Sequence, residues 1–359
     1  MGYSFTQLFQ DFFGSRRTPA PALIPQTPPP PVLERVASEE IIVTAAAPLL
    51  QIWRPALPVD TLFFDWIMGY PSTAGSDQNE QKILQALYAF LASDLNDAVV
   101  VPRMPSVIPQ LLASMRNKSV AIAELSRLII KDVVLVAEVI NAVNSALYNP
   151  ADRINSLDKA IMLLGEEGLR LVIAKVAFRP IINLSAGPYT RRAAPPIWLQ
   201  AEKCALACHA LSTNDDGFSP FLAFLTGLMK NVGLIVALRV LDNECGETKL
   251  RYSSGFQHAF AAVAATLSYR IARRWEFPPE VVQALELQAG GSRAKTWSRL
   301  GVLLHTADLL SKMRILVNQG QLSHNDGQLT QGLPVAETQC FLTLNELQLF
   351  ELQHIDAPR

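Results

Sequence analysis

The sequence predicts an all-α protein, a bundle of packed helices. Half of its 359 residues are hydrophobic, which is enough to bury a sizeable core. From residue 99 onward, apolar residues recur every three or four positions, and short polar or proline-containing breaks separate the segments. No segment alternates convincingly between apolar and polar residues, so β-strands are not expected.

Composition also predicts how the chain is organised. Residues 3–13 place phenylalanines and a leucine on one helical face, which we expect to dock on a partner or on the protein's own body. Seven prolines between residues 18 and 31 predict an extended linker. The predicted segments are an amphipathic stretch and linker at 1–32, a helical segment at 33–98, two helical lobes at 99–190 and 191–318, and a polar tail at 319–359.

Individual elements follow from the same rules. The stretch TLFFDWIM predicts a helix that ends at Gly69, and QKILQALYAFLASDL predicts the next one. Gly165 is expected to end a helix, and the proline-rich run at 185–196 is expected to be a break. The apolar run at 224–235 predicts one buried helix, and the tail is expected to be loop-like with one short helix at 344–353.

Charge and cysteine content narrow the classes of function. The net charge is −1, and neither a nucleic-acid surface nor an anionic membrane surface is expected without a basic excess. Four cysteines without a framework spacing predict free thiols in a reducing cytoplasm. The closest candidate for a membrane span, residues 221–238, is interrupted by Lys230 and Asn231, so no span is expected.

A longer motif carries a family resemblance. Residues 144–170, NSALYNPADRINSLDKAIMLLGEEGLR, closely resemble the signature of HDOD domains, bacterial signalling relatives of the HD-domain phosphohydrolases. The likeness extends over roughly residues 99 to 315 and implies a two-lobed, HD-like helical bundle. We expect the polar signature residues to stabilise a helix-to-loop turn by side-chain-to-backbone hydrogen bonds. The signature residues are Asn144, Ser145, Tyr148, Ser156, Leu157, Ala160 and Gly165.

The resemblance also permits a chemical test of hydrolase activity. An HD phosphohydrolase needs imidazole and carboxylate ligands that converge on one or two divalent metals. By this comparison one carboxylate remains, Asp308, while His209, His258, His305, His324 and His354 all lie elsewhere. The resemblance therefore implies a vestigial HD pocket without metal, cofactor or hydrolase chemistry. The other ligand positions hold Gln200, Lys230, Asn231, Ala264, Gln288 and Ala289.

The replacement of a ligand by Lys230 leads to a geometric hypothesis. An ammonium has three donors and no acceptor, so it repels a cation where a ligand should be. We expect the Lys230 ammonium to substitute for the lost metal charge and to pair with Asp308. A separation beyond about 6 Å would contradict this pairing, because it leaves no direct contact.

Three other features each allow two interpretations. Cys204 and Cys208 lie four residues apart, so they are either zinc ligands or buried thiols. His305 and Asp308 lie one helical turn apart, so they are either an acid/base pair or structural groups. The basic cluster at 270–275 is either a phosphate or nucleotide contact or a solvated helix face.

The resemblance implies a cytoplasmic, non-enzymatic signalling module that binds an unidentified protein partner and takes a small nucleotide as a candidate ligand. Residues 1–98 lack the motifs of receiver, cyclic-di-GMP-turnover or kinase domains. Two alternatives remain open at this point. One is a residual metal-dependent phosphohydrolase or phosphodiesterase, and the other is a nucleotide-binding sensor that keeps the pocket without the chemistry.

Overall fold

The structure is a computed structural model, and all the residues it describes belong to one compact unit, Leu49–Arg359. The predicted amphipathic stretch, the proline-rich linker, Ser145, Tyr148 and residues 346–353 of the predicted tail helix lie outside the described residues. The described residues are 52–73, 78–93, 95, 100–114, 126–127, 129–130, 133–144, 152–182, 187–213, 217–246, 250–290, 297–323 and 327–345.

The predicted all-α fold class is confirmed, and the described residues contain no strand. The helices are α1 (Val59–Met68), α2 (Gln78–Ala92), α3 (Val107–Ser114), α4 (Val133–Val143), α5 (Leu157–Ile182), α6 (Pro188–Ser212), α7 (Pro220–Met229), α8 (Val232–Cys245), α9 (Ser254–Arg274), α10 (Pro279–Gly290), α11 (Arg299–Asn318) and α12 (Val335–Thr343).

The first two helices share the core of the later ones. The hydroxyl of Tyr252, which has one proton to donate, lies 2.9 Å from a carboxylate oxygen of Asp65 and 2.6 Å from the carbonyl oxygen of Tyr70. The buried carboxylate of Glu80 accepts a hydrogen bond from the hydroxyl of Ser253 at 2.9 Å. Side chains of α1 and α2 thus cover the beginning of α9.

Two predicted glycine positions behave as expected. Gly69 follows α1 with a φ of 85°, and its amide donates to the carbonyls of Asp65 and Trp66. Gly165 has a φ of 63° and a ψ of −174°, so it interrupts the helical geometry within α5. Left-handed backbone of this kind favours glycine, because a Cβ would be strained there.

The break predicted at 185–196 is wrong from Pro188 onward, because α6 begins there and contains Pro195 and Pro196. A proline in the first turn of a helix loses no intrahelical bond, since its amide would be unpaired there. The start of α6 is also held from α8, where the Asp242 carboxylate accepts from the amides of Tyr189 and Thr190 at 2.8 and 3.0 Å. Local helix propensity does not predict this cap, because Asp242 lies on another helix.

The single helix predicted at 224–235 is in fact two, α7 and α8, which meet at Lys230 and Asn231. Asn231 has a φ of −104° and a ψ of 5°, which takes it out of the helical region. The combined stretch Pro220–Cys245 is long and apolar enough to cross a membrane, but 89% of its apolar window is buried inside the protein. Its apolarity therefore matches a core position.

The tail predicted to be loop-like at 319–359 contains α12, so that expectation is wrong for residues 335–343. Cys340 and Phe341 are buried and belong to the main core cluster. A helix of nine residues gains little from its own backbone, so tertiary packing stabilises it here.

Candidate functional site

A buried polar cluster lies where α6, α11 and the α7–α8 junction meet. Gln200 on α6 donates through Nε2 to Asp308 Oδ1 at 2.8 Å and to Ser311 Oγ at 2.9 Å. Asn231 donates through Nδ2 to Gln200 Oε1. All four side chains are at most 5% exposed, so these amides, the hydroxyl and the carboxylate satisfy one another away from water.

The Lys230 ammonium completes this cluster. Lys230 Nζ lies 3.4 Å from Asp308 Oδ2, and the two side chains are 13% and 8% exposed. The predicted pairing of Lys230 with Asp308 is therefore confirmed. The structure adds a second lysine, Lys312, whose Nζ donates to Asp308 Oδ2 and to Asp60 Oδ1 at 2.7 Å each.

Lys312 is a residue that the sequence reasoning missed. It lies four positions after Asp308 on α11, a spacing that places two side chains on the same helical face. That spacing could have indicated the pair. The contact with Asp60 could not have been found this way, since Asp60 lies 252 residues away on α1.

The two lysines determine the ionisation of Asp308. Burial would raise the pKa of Asp308, but the Coulombic attraction of Lys230 and then of Lys312 outweighs burial and holds that pKa below its ordinary value. Burial would likewise lower the pKa of Lys312, but Asp308 and Asp60 outweigh it and raise that pKa above its ordinary value. Asp308 and Lys312 therefore both keep their charges near neutral pH.

Close packing of α8 on α9 positions the junction. The hydroxyl of Ser268 on α9 donates to the carbonyl of Lys230 at 2.7 Å and accepts from the amide of Gly233 at 3.0 Å. A Cβ at Gly233 would overlap the carbonyl oxygen of Ala264. Ala264 therefore contributes to the site through close backbone approach, which a longer side chain at Gly233 would prevent.

One predicted pocket residue is engaged elsewhere. The Gln288 amide donates to the carbonyl of Gly301 at 2.9 Å and to that of Ala284 at 3.3 Å, which links α10 to α11. The structure thus joins Gln200, Lys230 and Asn231 with Asp308 in one network and gives Gln288 a separate structural contact.

His305 and Asp308 do not form an acid/base pair. Both carboxylate oxygens of Asp308 already have partners, Gln200 on one and the lysines on the other. The His305 ring meets Trp297 edge-on with centroids 5.5 Å apart, and burial lowers the pKa of His305 despite the opposing effect of Asp308. A neutral imidazole against an aromatic ring supports the structural reading.

The cysteine pair on α6 supports the buried-thiol reading. Cys204 and Cys208 are both buried, and burial raises the pKa of Cys208 well above its ordinary value. Only the thiolate form binds zinc well, so this environment disfavours metal. Within the described ranges, no group of three or more His, Cys, Asp or Glu side chains could hold a metal ion.

In the basic cluster at 270–275, Arg273 and Arg274 are exposed, as a solvated helix face predicts, while Arg270 and Arg274 also make structural contacts. Their guanidinium groups donate to the carbonyls of Leu91 and Leu95, at and just beyond the end of α2. Cations that bind the last carbonyls of a helix also complement its dipole. These arginines therefore attach α2 to α9.

Asn144 in the signature motif forms the predicted turn contacts. Its Nδ2 donates to the carbonyls of Ile140 at 2.9 Å and Ile154 at 2.7 Å, and its Oδ1 accepts from the amide of Ile154 at 2.8 Å. The end of α4 is thereby joined to the residues before α5. α5 begins at Leu157. The carbonyl of the preceding residue, Ser156, accepts a hydrogen bond from the amide of the buried Ala160 at 3.0 Å.

The donor set of the cluster does not fit a metal of the HD type. Such a centre takes several imidazoles and carboxylates, whereas this site presents two ammoniums, two amides, a hydroxyl and the Asp308 carboxylate, which both ammoniums already neutralise. The site can hold charge and hydrogen bonds in a defined geometry, but its residues offer no set of ligands for a divalent cation.

Similar structures point to the same fold. An HDOD domain protein of unknown function from Geobacter sulfurreducens superposes with a TM-score of 0.52 at 17% identity, over 75% of this chain and 96% of that one. A Shewanella amazonensis protein named as a candidate metal-dependent phosphohydrolase gives 0.52 at 16% identity, over 77% of this chain and 100% of that one. At these identities the likeness concerns the fold alone.

The search of curated proteins found no match to this chain. The model of the HDOD domain, in contrast, matches residues 101–289, a range that contains the Asn144 turn, Gln200 and the Lys230–Asn231 junction. That range is more than half of the chain, and its signature and helical architecture agree with the motif and the fold described above. The chain therefore belongs to the HDOD domain family.

Proposed function

We propose that this chain is a non-catalytic regulatory module of bacterial signal transduction that works in the cytoplasm by binding a protein partner. One observation carries the proposal. The Lys230 ammonium lies 3.4 Å from Asp308, at the position where the HD comparison expects a metal ligand. The ammoniums of Lys230 and Lys312 both pair with Asp308, the one remaining carboxylate of the comparison, so its charge is already neutralised and does not attract a metal cation.

The amide groups strengthen this interpretation. Gln200 and Asn231 bond to each other, and Gln200 also bonds to Asp308, so their lone pairs and donors serve the protein interior. Restoring a ligand set would require breaking this network as well as replacing Lys230. The role of the site in this proposal is structural, since it ties α6, the α7–α8 junction and α11 together.

The alternative, a residual metal-dependent phosphohydrolase, is the activity that the name of the Shewanella protein suggests for that protein. Such chemistry needs a metal that activates water and neutralises phosphate charge. In the described part of this chain, the donor set around Asp308 does not supply that metal with ligands. We therefore do not adopt this alternative.

Metal content and hydrolysis test the non-catalytic part of the proposal. The full chain, incubated with manganese and then desalted, is expected to retain far less than one metal per chain. Hydrolysis of bis(p-nitrophenyl) phosphate is expected to equal that of the Asp308→Asn variant. Stoichiometric metal together with hydrolysis that Asp308→Asn abolishes would overturn it.

A reconstituted complex tests the partner. The full chain is crosslinked in its bacterium, and each captured protein is then purified and mixed with the purified chain. We expect one captured protein to form a stoichiometric complex, with crosslinks that map to one face of the helical bundle. Failure of every purified candidate to bind directly would contradict the proposal of a protein-binding module.

A further inference from the structure

Two buried cations hold the end of the last described helix, α12. Lys203 on α6 donates through Nζ to the carbonyl of Leu344 at 2.6 Å. Arg314 on α11 donates through Nε and Nη2 to the carbonyl of Phe341 at 3.0 and 2.6 Å, and its guanidinium lies 4.0 Å from the centroid of the Phe341 ring. The last carbonyls of a helix have no intrahelical partner, so these donors satisfy them.

This arrangement joins the buried Lys203 ammonium to a carbonyl and not to a carboxylate. Lys203 is 1% exposed and forms no ion pair with any described residue. Its neighbour Glu202 is paired with Lys175 of α5. Burial lowers the pKa of Lys203 to about 8, an effect that Glu202 partly opposes and Arg314 reinforces. Docked α12 thus keeps a poorly solvated ammonium in the core.

A buried atom of α12 itself also opposes docking of this helix. Glu337 Oε2 is buried and has no hydrogen-bond partner in the part of the chain that is described. A buried polar atom without a partner opposes folding of the segment that carries it. Undocking of α12 would return both Glu337 and Lys203 to water.

The apolar contacts that hold α12 are few. Cys340, Phe341 and Leu344 are buried, whereas Val335 is 87% exposed and Leu342 is 49% exposed. A nine-residue helix is not stable alone in water, so undocking and unfolding of α12 should coincide. Such a segment belongs to the low-stability end of a structure and opens before the core does.

We propose that residues 335–344 form a releasable C-terminal latch, in which Lys203 and Arg314 hold the carbonyls of Leu344 and Phe341, and whose opening exposes the surface of α6 and α11 beneath it. The latch lies outside residues 101–289, the range of the family match, and it does not depend on the Asp308 cluster. It is a conformational device in addition to the proposed partner binding.

The latch should respond to pH in a defined direction. The pKa of Lys203 is about 8 in the docked state against an ordinary 10.5, so the closed latch binds fewer protons than the open one. Opening is therefore favoured at lower pH, and closure strengthens as pH rises from about 8 toward 10.5. The Cys340 thiol, with its pKa raised by burial to about 12, stays protonated in this window. The charged groups that act on Lys203 are Glu202 on α6 and Arg314 on α11.

Hydrogen exchange of the full chain at pH 7 and pH 9, corrected for intrinsic exchange rates, tests the latch. From the two pKa values of Lys203, the opening equilibrium of residues 335–344 should fall about tenfold between these pH values. The same residues should open more readily than α7, which reports opening of the core. Exchange of both segments with one common opening equilibrium would overturn the latch.

Two lysine variants assign the pH effect. Lys203→Met should remove the tenfold change, because the titrating group is gone. Lys82→Met, at a side chain 66% exposed on α2, is the matched control and should keep the change. A pH dependence that survives Lys203→Met would contradict the proposal. If Lys203→Met does not fold, the pH dependence of the opening equilibrium in the wild type is the deciding measurement. An opening equilibrium that does not change between pH 7 and pH 9 would overturn the latch.

Discussion

Lys312 and Lys203 are both buried lysines, but their surroundings shift their pKa values in opposite directions. Lys312 contacts the carboxylates of Asp308 and Asp60, which raise its pKa despite burial. Lys203 contacts a backbone carbonyl, so burial dominates and lowers its pKa to about 8. A carboxylate makes a buried ammonium an anchor, whereas a carbonyl alone leaves it ready to return to water.

Two buried aspartates, Asp308 and Asp242, also have pKa values that are shifted in opposite directions. Asp308 has two lysines beside it, and its pKa lies below the ordinary value although burial opposes this. Asp242 binds the amides of Tyr189 and Thr190, and burial raises its pKa because these amides offset only part of the desolvation. Two adjacent ammoniums thus outweigh the effect of burial at Asp308, whereas backbone amides and the charge of Arg191 do not outweigh it at Asp242.

The largest expected effect is that of Asp308→Asn. It leaves the Lys230 and Lys312 ammoniums without their shared carboxylate, so the free energy of unfolding should fall by about 3–5 kcal/mol. Urea denaturation at pH 7 measures this. The matched control is Asp60→Asn, whose side chain is 69% exposed and which should lose less than about 1 kcal/mol. Equal losses in both variants would refute the anchoring role of Asp308.

Asp242→Ala should have the next largest effect. It removes the carboxylate that caps the start of α6, so the Tyr189 and Thr190 amides lose their acceptor. We expect a loss of about 2 kcal/mol in urea denaturation, as for a well-placed helix cap. The neighbouring exposed residue supplies the control, Asn243→Ala, which should change stability little. If Asp242→Ala left the stability unchanged, water would be replacing the cap.

The pH dependence of stability should differ between the two carboxylates. The folded pKa of Asp308 is lowered, so its contribution is present above pH 3.8 and is lost as pH falls toward the lower folded value. The slope reaches about 1.4 kcal/mol per pH unit for one proton. Asp308→Asn should flatten this acid limb in denaturation curves below pH 4. An unchanged limb would show that other carboxylates cause it.

Asp242 should act in the opposite sense. Its folded pKa is raised above 3.8, so the folded state holds a proton there that the unfolded state has released. Its contribution to stability is therefore lost as pH rises above 3.8 through the folded pKa. Asp242→Asn should remove a stability term that favours low pH, measured as a steeper net rise of stability as pH increases above 3.8. No change in that range would contradict the raised pKa.

The smallest effect on global stability is expected for Lys203→Met at pH 7. The variant loses the hydrogen bond to the Leu344 carbonyl but also removes a desolvated ammonium, and these terms offset to within about 1 kcal/mol. Thermal unfolding at pH 7 measures the sum. A loss comparable with that of Asp308→Asn would mean that Lys203 is an anchor like Lys312, and the contrast between the two lysines would fail.

Local sequence rules predicted the elements that depend on local chemistry. Apolar periodicity, Gly69 and Gly165 placed α1 and the kink in α5, since positive φ at these glycines is a local requirement. The same rules failed at α6 and α12. Their ends are held by Asp242 and by Lys203 with Arg314, which lie far away in the chain.

The sequence by itself determined the all-α class through its apolar periodicity and the HDOD signature turn at Asn144 through its motif. The pairing of Lys230 with Asp308 was predicted from the metal-ligand positions that the family resemblance implies. Only the tertiary structure decided that Lys312 and Asp60 join the cluster and that Lys203 is buried without a carboxylate. The ionisation of a buried group depends on which charges the fold brings within a few ångströms, and spacing along the chain does not specify that distance.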